Sequence, residues 1–361
     1  MNILFSTGHP AQIHNFRVVR EQLIARGHNV YWLATKKDIS ENLLTVYGIE
    51  YTMLHRPQKG ALSKIAILIK NALITAKVIK KNKIDIVVSR LNPSVALAAF
   101  LMRKKQIGMS DTEAAGIYDY LSAQLVNAMI TATSFEKQLC KEHIRINASI
   151  ELYYLHPNYF NYDLNEVYKL LNIPYGQKYV IIRFVGGSAF HDEGHLRISE
   201  HNKLKLVQDI SNYARVFVSS EDELNDELLQ YKIEIPYEKM HMALAGATLF
   251  FGEGASMASE SVICGTPAIY VNDLWAGSTN EEQKAGLLFS YKTDDISQNE
   301  AINKALELIN KPEIKKEMVQ KRDEYLKDKI DPVAFFVWFI ENFPESKQIM
   351  LENPDYQYNF R

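Results

Sequence analysis

Four short stretches of this sequence bring glycine, hydroxyl, carboxylate and imidazole groups together at spacings that could do chemistry. The densest is 248–272, TLFFGEGASMASESVICGTPAIYVN. Gly252 and Gly254 flank Glu253 and permit a sharp turn with close backbone approach. The turn opens onto a helix that begins near Ser256 and Met257, where N–H groups and the helix dipole favour a phosphate. Ser256 and Glu260 are four apart and share one helix face. A hydroxyl there could meet a phosphate while the carboxylate, one turn deeper, accepts from a ribose diol. A plain turn with no ligand is the alternative.

The second stretch, 183–192, reads RFVGGSAFHD. Gly186, Gly187 and Ser188 can cradle a diphosphate with backbone N–H groups. Arg183 can lend positive charge, and His191 and Asp192 could touch the phosphates or a sugar. One Gly-Gly-Ser is a weak signal, but a second glycine turn in the same half points to a nucleoside diphosphate. The third stretch, 6–10, turns at Gly8, and His9 and His14 bracket the helix that follows. His14 could act as a general base on a hydroxyl, since imidazole titrates near neutrality; capping or local packing is the other reading. His9 is a weaker candidate for substrate contact. The fourth is Asp111-Thr112-Glu113. Its carboxylates could bind a sugar hydroxyl, serve as acid or base, or hold a metal weakly. Equally, Asp111 could cap a helix whose dipole favours Glu113.

Elements must hold these loops. Apolar runs predict strands at 2–5, 30–34, 51–54, 85–89, 128–132 and 151–155, separated by helices that include 38–46, 63–82, 93–103, 116–127 and 134–142. A second alternating series has strands at 178–184, 216–219, 248–251, 268–271 and 287–291, with helices at 203–213, 237–245, 256–264, 300–310, 312–327 and 332–341. Strand–helix alternation predicts an α/β chain with a doubly wound parallel sheet in each half. The expected domains are 1–158 and 159–330, joined near 156–162. The aromatic helix 332–341 and a polar strap from 344 are expected to return to the first domain. Two Rossmann-like domains with parallel sheets facing across a cleft make the GT-B architecture, with ligands at the carboxyl ends of strands.

Composition limits the partners. The 361 residues are 47% hydrophobic and 23% charged, with 41 Lys plus Arg against 43 Asp plus Glu and a net charge of -2. These are globular values, and no general nucleic-acid binder is expected. Two cysteines, Cys140 and Cys264, both placed in expected helices, predict a reducing compartment and no disulfide framework. Neither has a second Cys at metal-ligand spacing. The opening MNILFSTGHP has no basic n-region, and no run is long and apolar enough to span a bilayer, so a cytoplasmic protein is expected. There is no G-x-G-x-x-G after the first strand and no G-x-x-x-x-G-K-[ST]. The helix at 63–82 is apolar and punctuated by lysines, which suits either a lysine-decorated domain helix or peripheral contact with an anionic membrane.

GHPAQIHNF, DTE, YLHPNYF, RFVGGSAFHD and GEGASMASESVICGTPA together resemble a microbial family with the GT-B fold, over nearly the whole chain. That family is related to glycosyltransferases and to the non-hydrolysing UDP-N-acetylglucosamine 2-epimerases. The last motif is similar to the donor-binding signature of transferases such as the peptidoglycan N-acetylglucosaminyltransferase. The resemblance implies a ribose-holding role for Glu260, a diphosphate loop at 186–188 and an early histidine comparable to His14. It implies a nucleotide-sugar donor, a sugar or lipid-linked sugar acceptor, and no cofactor or metal. The epimerases' His-Arg-x-Glu-Asn motif is absent: the matching loop reads Phe190-His191-Asp192-Glu193-Gly194. The arginine-proline-glutamate of their first loop is also missing. These departures favour transfer over epimerisation. A sugar-nucleotide-binding subunit without turnover is the third reading.

Overall fold

The computed structural model describes residues 1–36, 39–56, 60–111, 116–186, 197–273 and 277–361. The chain forms two compact units, Met1–Tyr154 with Lys329–Arg361, and Leu155–Asp328. The first holds seven parallel strands: β1 Asn2–Thr7, β2 Asn29–Thr35, β3 Thr52–Leu54, β4 Ile86–Ser89, β5 Lys105–Met109, β6 Ala128–Ala132 and β7 His143–Ile146. Their spatial order is β3-β2-β1-β4-β5-β6-β7. The second holds β8 Tyr179–Phe184, β9 Arg215–Ser220, β10 Leu249–Gly252, β11 Ala268–Val271 and β12 Leu288–Tyr291, in the order β12-β11-β10-β8-β9.

Both sheets are built from near-continuous apolar runs, as strands covered on both faces require. Ile181, Val218, Phe250 and Ile269 of the second sheet are fully buried. In each sheet the chain starts in the middle and winds both ways. That creates a switch point where loops diverge and leave a crevice. The switch lies between β1 and β4 in the first unit and between β8 and β10 in the second. The loops after these four strands are therefore where a ligand site belongs.

The helix Pro332–Glu341 belongs to the first unit. Asp331 caps it, accepting from the N–H groups of Val333 and Ala334. Phe336 stacks on Phe16 of the helix Pro10–Ala25 and meets Tyr153 edge-on. The segment from 344 is more than a polar strap. It forms the helix Glu345–Glu352 and a 3₁₀ stretch Pro354–Phe360. Tyr356 stacks on Trp338, and Phe360 meets Phe335 edge-on.

Two expected elements need correction, and β5 is a strand not among those expected. Residues 134–142 are not helical, and Cys140 lies in irregular chain. The Arg145 guanidinium donates to the carbonyls of Phe135, Glu136 and Lys137, while Gln124 and Gln138 reach those of Leu139 and Cys140. Side chains thus supply the partners that a helix would have supplied. The stretch read as a strand at 151–155 is the short helix Leu152–Leu155, and the edge strand is β7 instead. Strand β5 gave no apolar signal because Gln106 occupies a core position. Its amide nitrogen donates to the carbonyls of Ala96 and Leu125, which satisfies the donor end of this buried polar group.

Gly252 ends β10 very close to β8. A Cβ there would stand 2.7 Å from the Arg183 carbonyl oxygen and 2.9 Å from the Arg183 Cβ. Gly252→Ala is therefore expected to destabilise the second unit by about 1–3 kcal/mol through overpacking, read from the midpoint of urea unfolding. An unchanged midpoint would show that the two strands can separate freely.

Candidate functional site

In the second unit, the turn after β10 is hydrogen-bonded to both described ends of the connection between β8 and the helix Glu200–Ser211. Glu253 is its centre. One carboxylate oxygen accepts from the Val185 N–H at 3.0 Å and the other from the Ile198 N–H at 2.8 Å. The Glu253 N–H donates to the Arg183 carbonyl at 3.1 Å, and its own carbonyl accepts from the Asn272 amide at 2.9 Å. The carboxylate thus joins the chain as it leaves β8 to the chain as it approaches the helix Glu200–Ser211. Sequence reasoning treated Glu253 only as the residue between two glycines. The available signal was a carboxylate in a turn whose glycines allow it to point inward.

Gly254 is the N-cap of the helix Ala255–Ile263 and has no side chain to cap with. A Cβ on it would lie 3.5 Å from Val185 and 3.8 Å from Arg183, so the two glycine turns adjoin. Ser256 is exposed on the first turn, Met257 is half-buried beside it, and Glu260 is buried one turn deeper. Glu260 Oε1 lies 3.2 Å from Nε2 of His241 on the helix Met240–Gly246. His241 was not anticipated. It orients the carboxylate expected to hold a ribose and leaves the other carboxylate oxygen outside this contact.

At the described start of the loop after β8, Gly186 lies against acidic side chains. The Gly186 N–H donates to Glu221 Oε2 at 3.2 Å. A Cβ at Gly186 would stand 2.6 Å from Asp222 Oδ1. Arg183 is held by Ser219 Oγ at 2.7 Å and Glu221 Oε1 at 2.6 Å. The Gly186 N–H and the strand arginine thus share one carboxylate, Glu221. The helix start at Gly254 carries no such carboxylate contact among the described residues. Gly187, Ser188, His191 and Asp192 lie outside the described residues.

In the first unit, the switch-point loops are held by Arg90 just past β4. Its guanidinium donates to Asn15 Oδ1 at 3.2 Å and pairs with the exposed Asp111 carboxylate. Arg90 itself is nearly fully buried, so it fixes the first helix relative to the end of β5. Asp111 is thereby a paired carboxylate. Thr112 and Glu113 lie outside the described residues. Gly8 donates its N–H to Gln12 Oε1 at 2.7 Å. His9 is the N-cap of the helix Pro10–Ala25, its ring accepting from the Ala11 N–H, so its observed role is local. His14 is buried, with Nδ1 3.2 Å from the Tyr47 hydroxyl and its ring against Tyr154 at 5.5 Å. The Ser6 hydroxyl at the end of β1 is fully buried with no hydrogen-bond partner among the described residues.

The site residues thus form two sets, each within its own unit. Gly8, His9, His14 and Asp111 surround the β1–β4 switch. Arg183, Gly186, Gly252, Gly254, Ser256, Met257 and Glu260 surround the β8–β10 switch. Among the described residues no group of three His, Cys, Asp or Glu side chains is arranged to hold a metal ion.

Two Rossmann-like units with parallel sheets of seven and five strands define a GT-B protein, and solved GT-B structures match almost the whole chain. One is the UDP-GlcNAc 2-epimerase from Neisseria meningitidis bound to UDP-GlcNAc, at 13% identity, TM-score 0.63, over 98% of this chain and 99% of that one. Another is MurG of Acinetobacter baumannii, at 15% identity, TM-score 0.59, over 95% and 99%. A third is the spinosyn rhamnosyltransferase SpnG complexed with spinosyn aglycone, at 12% identity, TM-score 0.59, over 95% and 100%. At these identities the likeness is one of fold. The chain belongs to the family described as protein of unknown function (DUF354), whose model matches residues 3–335. No curated protein matches it.

Burial holds the Glu253 carboxyl above its ordinary value of 4.5, against the lowering effect of the Val185 and Ile198 hydrogen bonds. A raised carboxyl binds its proton more tightly in the folded state. This contribution is therefore full below 4.5 and is lost as pH rises through the folded value. Glu253→Ala leaves two backbone N–H groups without their acceptor and is expected to cost about 2 kcal/mol or more. The cost should be larger at a pH of about 5 than at about 7. Urea titrations at the two pH values test this, and a smaller cost at the lower pH would contradict it.

Proposed function

We propose that this chain is a glycosyltransferase that takes its sugar from a nucleoside diphosphate donor and acts in surface polysaccharide or glycoconjugate assembly. The observation that carries the reading is Glu260. It is a buried carboxylate one turn inside a glycine-opened helix, at the switch point of its sheet, held from behind by His241. Such an arrangement suits a ribose diol, with the phosphates against the N–H groups that open the helix Ala255–Ile263. Those N–H groups would take up the leaving-group charge in place of a metal ion. The donor is the substrate, and the proposed reaction uses no cofactor. UDP is the first nucleotide to test, because a solved structure of the same fold is bound to UDP-GlcNAc.

In the first unit His14 is the proposed general base for the acceptor hydroxyl. Tyr47 and Tyr154 fix its ring. Asp111 is the acceptor-side carboxylate, with Arg90 setting its position. Glu113, Gly187, Ser188, His191 and Asp192 stay in the proposal on their sequence context alone. The acceptor is a sugar or lipid-linked sugar, and the place of action is the cytoplasm.

Epimerisation of the same donor is the second reading, favoured by the fold match to the UDP-GlcNAc-bound epimerase. A thermal-shift panel of UDP, GDP, CDP and TDP sugars separates the cases, because a ligand of the native state raises the melting temperature by mass action. A selective rise that vanishes in Glu260→Ala is expected. No rise with any nucleotide, in a folded protein, would remove the proposal. Incubating the bound sugar nucleotide alone then distinguishes the two chemistries: conversion without an acceptor means epimerase.

With a working acceptor, His14→Ala should lower kcat by about 10²–10⁴-fold while the donor-induced shift stays as in wild type. A kcat within a factor of about two would exclude His14 as the base.

A further inference from the structure

The helix Ala61–Lys81 is apolar on two opposite faces, and the fold uses only one. Ile74, Val78 and Ile79 pack with Leu4, Leu33, Val87 and Val95 in the core of the first unit. On the other side stand Leu62, Ile65, Ile69 and Leu73, spaced three, four and four residues apart and so aligned in one stripe. They are 85%, 56%, 53% and 59% exposed. An aliphatic stripe of this kind on the surface marks an interaction site.

Charge identifies the partner. The helix has five lysines and no acid: Lys64, Lys70, Lys77, Lys80 and Lys81, all exposed. Residues 51–110 carry twelve Lys or Arg against the single acid Asp85, in a chain whose net charge is -2. The neighbouring helix Pro93–Leu101 packs against this one and ends in exposed Phe100 and Leu101, followed by Arg103 and Lys104. A second copy of the chain is a poor occupant, because a two-fold contact would set this positive surface against itself. Protein interfaces also select aromatic residues and arginine and deplete lysine, the reverse of this helix. Aliphatic residues rimmed by lysine match an interface of acyl chains beneath anionic headgroups. No helix among the described residues is long and apolar enough to cross a membrane, so the contact is in the plane of the surface.

We infer that the helix Ala61–Lys81 docks the protein on an anionic lipid bilayer. Leu62, Ile65, Ile69 and Leu73 enter the acyl boundary, and the lysines meet the headgroup phosphates. The inference is independent of the sugar-nucleotide reading.

Flotation with vesicles of phosphatidylcholine, alone or mixed with phosphatidylglycerol, tests it on the full chain. Wild type should float with the mixed vesicles, not with phosphatidylcholine alone, and high salt should reduce the bound fraction. Lys77→Glu with Lys80→Glu should weaken partitioning by about tenfold or more, and Ile69→Glu with Leu73→Glu should abolish it. All four residues are exposed, so the melting temperature should hold. If the apolar pair unfolds the protein, the lysine pair decides alone. Equal flotation of wild type and the lysine variant would overturn the inference. So would failure to float together with a dimer in solution that Ile69→Glu dissociates, since a second copy would then cover the stripe.

Discussion

The second unit depends on a single buried carboxylate reaching across the end of a parallel sheet. Along the strands every backbone group finds a partner in the ladder. Past the carboxyl end of β8 the ladder stops, and the Val185 and Ile198 N–H groups need acceptors away from water. Glu253 supplies both. It can do so because Gly252 lets β10 close on β8 and Gly254 lets the chain start a helix at once. The two glycines serve the placement of Glu253 as much as any ligand. Desolvation of the carboxylate is the opposing cost, visible in its upward-shifted pKa.

The first unit meets the same constraint with the opposite charge. Arg90 occupies the switch point between β1 and β4, buried apart from its reach to Asp111, and ties the first helix to the end of β5 through Asn15. A guanidinium has five donors and a carboxylate only acceptors. Each therefore gathers loops of complementary polarity: Arg90 collects side-chain oxygens, and Glu253 collects backbone N–H groups. His14 and Glu260 each sit on a helix adjoining such an anchor, and each is held by an aromatic or imidazole neighbour of its own, Tyr47 in one case and His241 in the other.

The sequence carried the alternation of strands and helices because parallel strands covered on both faces must be apolar throughout. The glycine turns were legible because close strand approach and helix starts demand glycine. The hidden parts were those where side chains replace the usual backbone partners. Arg145 feeding three carbonyls removes a helix from 134–142, and Gln106, buried with its amide nitrogen donating to two carbonyls, conceals β5. Glu253, Arg90 and His241 were missed for a related reason. Their importance lies in contacts 19 to 75 residues away in sequence, which no local pattern records. Glu221 likewise lies 35 residues from the Gly186 N–H that it occupies.

The return of residues 329–361 to the first unit has a consequence for how the chain is made. The helix Pro332–Glu341 lays Phe336 on Phe16, and the Ile330 N–H donates to the Asn147 carbonyl. During synthesis, which delivers residues in order, all of Leu155–Asp328 leaves the ribosome before these contacts can form. The second unit has its full sequence first. The earlier-made first unit must wait with the Phe16 side of its first helix exposed. A chaperone acting on the nascent chain would therefore find its binding surface on the N-terminal unit, and its release would be timed by the arrival of the last aromatic helix.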